Sequence, residues 1–147
     1  MDNYKEFYDR AVGKLKGLPV NKDTFCPLPF SHISTMPHGE VKLCCRARPP
    51  AEGENPNVKD VDFNLKDYWH SEHMNEVRDE LILGNKHQQC GNCWKMEDNN
   101  IVSLRMNRLM DLMDNDTYRK PVEHYLVNRK VEFNIPLIEL KLSNVCN

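Results

Sequence analysis

Four cysteines at set intervals constrain this chain more than any other feature. Cys90-Gly91-Asn92-Cys93 places two thiols two residues apart. At that spacing both sulfurs face one ion or cluster, with backbone amides pointing at them. A helix beginning there adds its positive N-terminal end, which favours an anionic metal–thiolate centre. Cys26 and Cys44 lie upstream, with twelve residues between Cys26 and Gly39 and four between Gly39 and Cys44. Residues 30–35 and 40–45 are strand-like. Between them, Met36-Pro37-His38-Gly39 has Pro at the second turn position and Gly at the fourth, as a type I turn prefers. The resulting β-hairpin returns Cys26 and Cys44 to one end, where four sulfurs converge. Sets of this kind hold iron–sulfur clusters or zinc.

Cys45 is an alternate ligand to Cys44, because adjacent strand residues point to opposite faces. If Met36 pairs with Glu40, Cys45 shares a face with Ile33, Val41 and Leu43, as a small buried hydrophobe would. Cys44 then shares the other face with His32 and Lys42, and we take Cys44 as the ligand. His32 is a cross-strand neighbour of Cys44, and an ordinary strand histidine is the preferred reading of it.

The 147 residues carry 20 Lys and Arg against 22 Asp and Glu, a net charge of -2. That balance leaves no electrostatic footprint for nucleic acid or an anionic membrane. No segment approaches the roughly 20 apolar residues of a membrane helix. The N-terminus has no apolar core of a secretory signal. A cytoplasmic location follows, where thiols stay reduced, and there six cysteines point to metal or redox work over disulfides.

The rest of the chain is mostly helical by pattern. Tyr4, Phe7, Tyr8, Ala11 and Leu15 mark a helix over 4–16, stopped by Gly17 and Pro19. Residues 46–59, with Pro49-Pro50, Gly53 and Pro56, form a loop. Ser71 caps a helix over 71–83 whose stripe is Met74, Val77 and Leu81, and Gly84 closes it. A short helix leaves the knuckle and breaks at Asn99-Asn100. Val102, Met106, Leu109 and Met113 mark another, with Met106, Met110 and Met113 as core. Residues 116–130 form a third, in which Pro121 is tolerable only near the first turn. The apolar run 135–142 reads as a buried strand. His70, His73 and His87 read as surface residues, Trp94 as a cover over the metal site, and Arg46 and Arg48 as offsets to its negative charge or as solvated loop charges. The fold class is α+β: a small hairpin and a cysteine knuckle packed with several helices.

Cys-x12-Gly-x4-Cys followed by Cys-x2-Cys resembles the SPASM/twitch domains of radical S-adenosylmethionine enzymes. The run Phe25-Cys26-Pro27-Leu28-Pro29-Phe30, then Gly39 and Cys44-Cys45-Arg46, is similar to that module. Ser143-Asn144-Val145-Cys146-Asn147 resembles the opening of the radical S-adenosylmethionine motif, Cys-x3-Cys-x2-Cys. Most members place the auxiliary domain after the barrel, whereas here it comes first. Full SPASM domains hold further cysteines after the knuckle, and none occurs between Cys93 and Cys146, which fits a twitch-type module with one cluster.

The resemblance implies an N-terminal helical segment (1–25), an auxiliary-cluster domain (26–100), a helical linker (101–134) and the truncated start of a radical S-adenosylmethionine core (135–147). Cys26, Cys44, Cys90 and Cys93 would hold one auxiliary [4Fe–4S] cluster for electron transfer or structural support. Cys146 would be the first ligand of a second [4Fe–4S] cluster that binds S-adenosylmethionine in the full-length protein. The last strand would be the first of a missing (β/α) barrel and would lack its barrel neighbours. That barrel is the expected partner, with a peptide or protein substrate and a reductant protein; the fragment alone is not catalytically complete. A zinc-binding structural or interaction module using the same four cysteines is the alternative, and the single knuckle counts against it. A thiol-redox protein using Cys90 and Cys93 ranks third.

Overall fold

The computed structural model describes residues 2–143. Its elements follow in the order α1 (Asp2–Gly13), a 3-10 turn (Leu28–Phe30), β1 (His32–Thr35), β2 (Val41–Lys42), α2 (Leu65–Trp69), α3 (Glu72–Leu83), a second 3-10 turn (Gln88–Cys90), α4 (Gly91–Asp98), α5 (Leu104–Leu112), α6 (Asp116–Asn128) and β3 (Leu137–Leu140). The architecture is α+β: helices around one small sheet of strand order β2-β1-β3.

The hairpin forms where the turn chemistry dictates. Gly39 N–H donates to Met36 O at 2.8 Å and Met36 N–H to Glu40 O at 2.9 Å. Gly39 takes φ +91°, so the turn closes with one left-handed residue, the bulged hairpin geometry that glycine permits. A Cβ at this position would sit 2.5 Å from Asn57 Oδ1. Asn57 belongs to the 46–59 loop, which folds back on the turn through Asn57 Nδ2 to His38 O at 3.0 Å and Val41 N–H to Pro56 O at 2.7 Å.

Capping accounts for the helix starts. Ser71 accepts from Met74 N–H ahead of α3, Ser103 from Met106 N–H ahead of α5, and Asn115 from Thr117 N–H ahead of α6. Gly84 ends α3 at φ +102°. Pro121 lies in the second turn of α6 and the helix continues through it, with only the bond its missing N–H would have made given up. Met74, Val77 and Leu81 of α3 are fully buried, as are Met106 and Met113, while Met110 is half-buried. Phe30 links the layers, 5.6 Å from the Phe25 ring and edge-on to Tyr125 at 5.4 Å.

Three sequence expectations change. The first hairpin strand starts at His32 because Pro27 and Pro29 set a 3-10 turn over Leu28–Phe30. The second ends at Lys42, where the chain bends, so strand alternation does not extend to Cys44 and Cys45. The last strand is not buried, and it has a partner within the domain. It pairs parallel with β1, His32 opposite Leu137 through Thr35 opposite Leu140. Ile138 and Leu140 remain 51% and 60% exposed. An edge strand covered on one face buries only alternate residues, whereas the apolar run suggested cover on both.

Candidate metal centre

Cys26, Cys44, Cys90 and Cys93 line one cavity, with Leu28, Pro29, Leu43, Arg46, Trp94, Leu104 and Arg105. The space among these walls is about 370 Å³, partly continuous with solvent. Among the described residues, no three His, Cys, Asp or Glu side chains are gathered as a single metal ion would require. The thiols surround a gap without closing on one point.

Each thiol is placed by a local device. Cys26 enters the 3-10 turn, where the Leu28 N–H donates to its sulfur. Cys44 sits in the bend after β2, and its sulfur accepts from the N–H groups of Arg46 and Ala47. Cys90 closes the second 3-10 turn and caps α4, while Cys93 lies in the first turn of that helix. The positive end of α4 therefore faces the thiols. Side-chain and main-chain bonds stitch the segment after the hairpin onto the knuckle. Arg48 N–H donates to Gln89 O at 2.8 Å, Gln89 Nε2 to Arg48 O at 3.1 Å, and Asn92 Nδ2 to Arg46 O at 2.9 Å. Arg48 also lies across Gly91, where a Cβ would meet the guanidinium carbon at 2.6 Å, and its Nε donates to Asn92 Oδ1 at 3.2 Å. Trp94 is buried in the wall and donates from Nε1 to His87 O at 2.9 Å.

Burial raises the pKa values of Cys26, Cys44 and Cys90, and the neighbouring sulfurs add to it. Cys26 is pushed well above the ordinary thiol value by burial and then by Cys90, and Cys44 is pushed up to about 12 by burial. Cys90 is raised by burial and then by Cys44 and Cys93, with Arg105 opposing. Thiols raised in this way are costly as bare thiolates. A cationic metal core removes that cost, so the donor set fits a thiolate-held metal centre.

Arg105 is a buried cation in the wall. It is 2% exposed and makes a bidentate pair with Glu97, Nε to Oε1 at 2.9 Å and Nη2 to Oε2 at 2.6 Å. Its Nη1 donates to Phe25 O at 3.0 Å and Lys22 O at 3.2 Å, and Ser103 Oγ donates to Glu97 Oε1. One side chain on α5 thereby fixes the backbone beside Cys26 to the helix that leaves the knuckle. Arg46 is an exposed residue whose side chain reaches the cavity.

Cys45 is not in the cavity wall. It is half-exposed beside Glu139 of β3, with which its thiol hydrogen-bonds. The strand-face argument had buried Cys45 with Ile33, Val41 and Leu43, and the bend at Leu43 and Cys44 undoes it. His32 is buried between Leu43 O, 3.3 Å from Nδ1, and Glu139, 3.6 Å from Nε2. His87 is buried, not a surface residue, because its Nδ1 accepts from Gln89 N–H within the turn ahead of the knuckle. His70 is half-buried, with Nε2 3.0 Å from Val131 O. Cys146 lies outside the described residues. No helix among the described residues is long and apolar enough to cross a membrane.

Sequence reasoning missed Arg105, Glu97 and Gln89. Arg105 did carry a signal, a cation three residues after Val102 and four before Leu109, on the apolar stripe of its helix.

No curated protein and no solved structure matches the chain. The family model of the SPASM iron–sulfur cluster-binding domain matches residues 26–94, from the first thiol of the cavity to the tryptophan after the last. The match supports an iron–sulfur cluster-binding domain of the SPASM type over this segment.

Proposed function

We propose that residues 26–94 hold one [4Fe–4S] cluster on Cys26, Cys44, Cys90 and Cys93, as the auxiliary centre of a radical S-adenosylmethionine enzyme. The observation that carries this reading is the meeting of those four thiols in one cavity within the matched domain. The single Cys-x2-Cys knuckle counts against zinc, whose sites pair two such knuckles. Amides on the Cys26 and Cys44 sulfurs, the α4 N-terminus and Arg105 supply the positive field that a thiolate-held cluster needs. When bound, the cluster supplies one-electron chemistry. The chain's own part is to bind it, exclude water with Trp94 and Leu28, and set its potential. With four thiolate ligands no iron is open, which favours electron transfer or structural support over substrate binding. A peptide or protein substrate, a reductant protein and a barrel carrying the S-adenosylmethionine site complete the proposed system.

The test is anaerobic purification with iron and sulfide analysis. The expected result is a brown protein with broad visible absorbance and a Cys90→Ala variant that has lost it. A colourless protein with one tightly held zinc, or a Cys90→Ala variant with its full iron content, refutes the reading.

A further inference from the structure

Arg78 is the most unusual charge in the molecule. The α3 stripe carries it inward beside Met74, Val77 and Leu81, and it is 0% exposed. Its Nε donates to Pro29 O at 2.8 Å, and its Nη1 to Trp69 O at 2.9 Å and Asn75 Oδ1 at 2.8 Å. The guanidinium stacks 4.7 Å from the Trp69 ring centre. Its Nη2 has no hydrogen-bond partner. Every hydrogen-bond partner is neutral, and among the described residues no carboxylate makes an ion pair with it. The adjacent Asp79 is engaged elsewhere, by Tyr125 Oη at 2.8 Å and Arg129 Nη2 at 2.7 Å. Arg105, the other fully buried arginine, differs because Glu97 neutralises it.

A buried cation without a counter-ion costs several kcal/mol, so a fold that keeps one is missing a negative charge from its account. Deprotonation is no escape: burial lowers the Arg78 pKa only to about 10. The thiol cavity lies next door. Pro29, whose carbonyl Arg78 holds, is part of the cavity wall with Cys26. The two buried arginines also brace the Cys26 segment from both ends, Arg105 at Phe25 O and Arg78 at Pro29 O.

We propose that Arg78 is the counter-charge of the cluster, a positioning residue that holds the Cys26 segment and raises the cluster's reduction potential. This rests on the reading of residues 26–94 as a cluster site on four cysteines. A thiolate-held cluster is anionic and becomes more so when it accepts one electron from a low-potential reductant. A fixed cation close by favours the reduced form.

The experiment is an anaerobic potentiometric titration with dithionite, followed by the spectroscopic signal of the reduced cluster. Two variants remove the charge in different ways. Arg78→Met deletes it. Asn75→Asp keeps the guanidinium and supplies a near-isosteric carboxylate to neutralise it. Both are expected to lower the reduced-to-oxidised ratio at fixed potential about tenfold, a midpoint shift of about 59 mV for one electron. Arg78→Lys, which keeps the charge, is expected to retain most of the wild-type midpoint. An unchanged midpoint in Asn75→Asp overturns the proposal, and so does one in a loaded Arg78→Met. If Arg78→Met does not fold, Asn75→Asp decides alone. Wild-type protein without iron refutes the cluster reading itself, whereas loaded protein with unmoved midpoints refutes only the role of Arg78.

Discussion

Replacing Arg105 with Met removes the bracket that ties the Cys26 backbone to the knuckle helix. Four hydrogen bonds go at once, two to Glu97 and one each to Phe25 O and Lys22 O. Glu97, whose side chain is 10% exposed, is left as a nearly buried carboxylate with Ser103 as its remaining side-chain donor. Breaking a buried pair from one side costs about 3–5 kcal/mol. At roughly 2–4 °C per kcal/mol for a chain of this size, the melting temperature should fall by about 6–20 °C. Thermal unfolding by circular dichroism of the metal-free protein measures this without any contribution from a cluster. The double variant Arg105→Met with Glu97→Gln should recover part of the loss, because the orphaned charge is then gone. A single-variant loss below about 1 kcal/mol, or a double variant as unstable as the sum of the singles, refutes the bracket. That range is the median worth of an exposed pair, which this one would then resemble.

Two further outcomes follow from the same geometry. Cys44→Ser should lose most of its iron while Cys45→Ser keeps it, since only Cys44 faces the cavity; iron analysis showing the reverse would exchange the two assignments. The metal-free protein should lose stability as pH rises. Cys26, Cys44 and Cys90 have folded-state pKa values above the ordinary 9.0, so the unfolded chain gives up protons first. Stability is full below about pH 9 and declines from there towards the Cys44 value of about 12. Denaturant titrations at about pH 8 and pH 10 should show the fall, and a metal-free protein equally stable at both would contradict the buried, neutral thiols.

The quartet was legible because its elements are local. The Cys90–Cys93 spacing, the Met36–Gly39 turn and the caps at Ser71 and Gly84 each act within a few residues, so the chain alone fixes them. Of Cys44 and Cys45 it is Cys44 that lines the cavity, although the strand alternation invoked for choosing it does not reach that far. The bend at Cys44 is closed locally, Ala47 N–H to Cys44 O at 3.1 Å, and the segment after it is held to the knuckle by Gln89 and Asn92, more than forty positions away.

By itself the sequence determined which thiols could meet, that a hairpin and a knuckle would carry them, and where most helices start and stop. Those are consequences of φ/ψ preference, capping and periodicity, all short-ranged. Only the tertiary structure decided that β3 joins β1, that Cys45 turns to Glu139, and that two arginines on apolar helix stripes are drawn inside. Charge burial is worth its cost only when distant partners arrive together. Glu97 does so for Arg105, whereas Arg78 has the Trp69 ring and neutral acceptors but, among the described residues, no carboxylate in an ion pair.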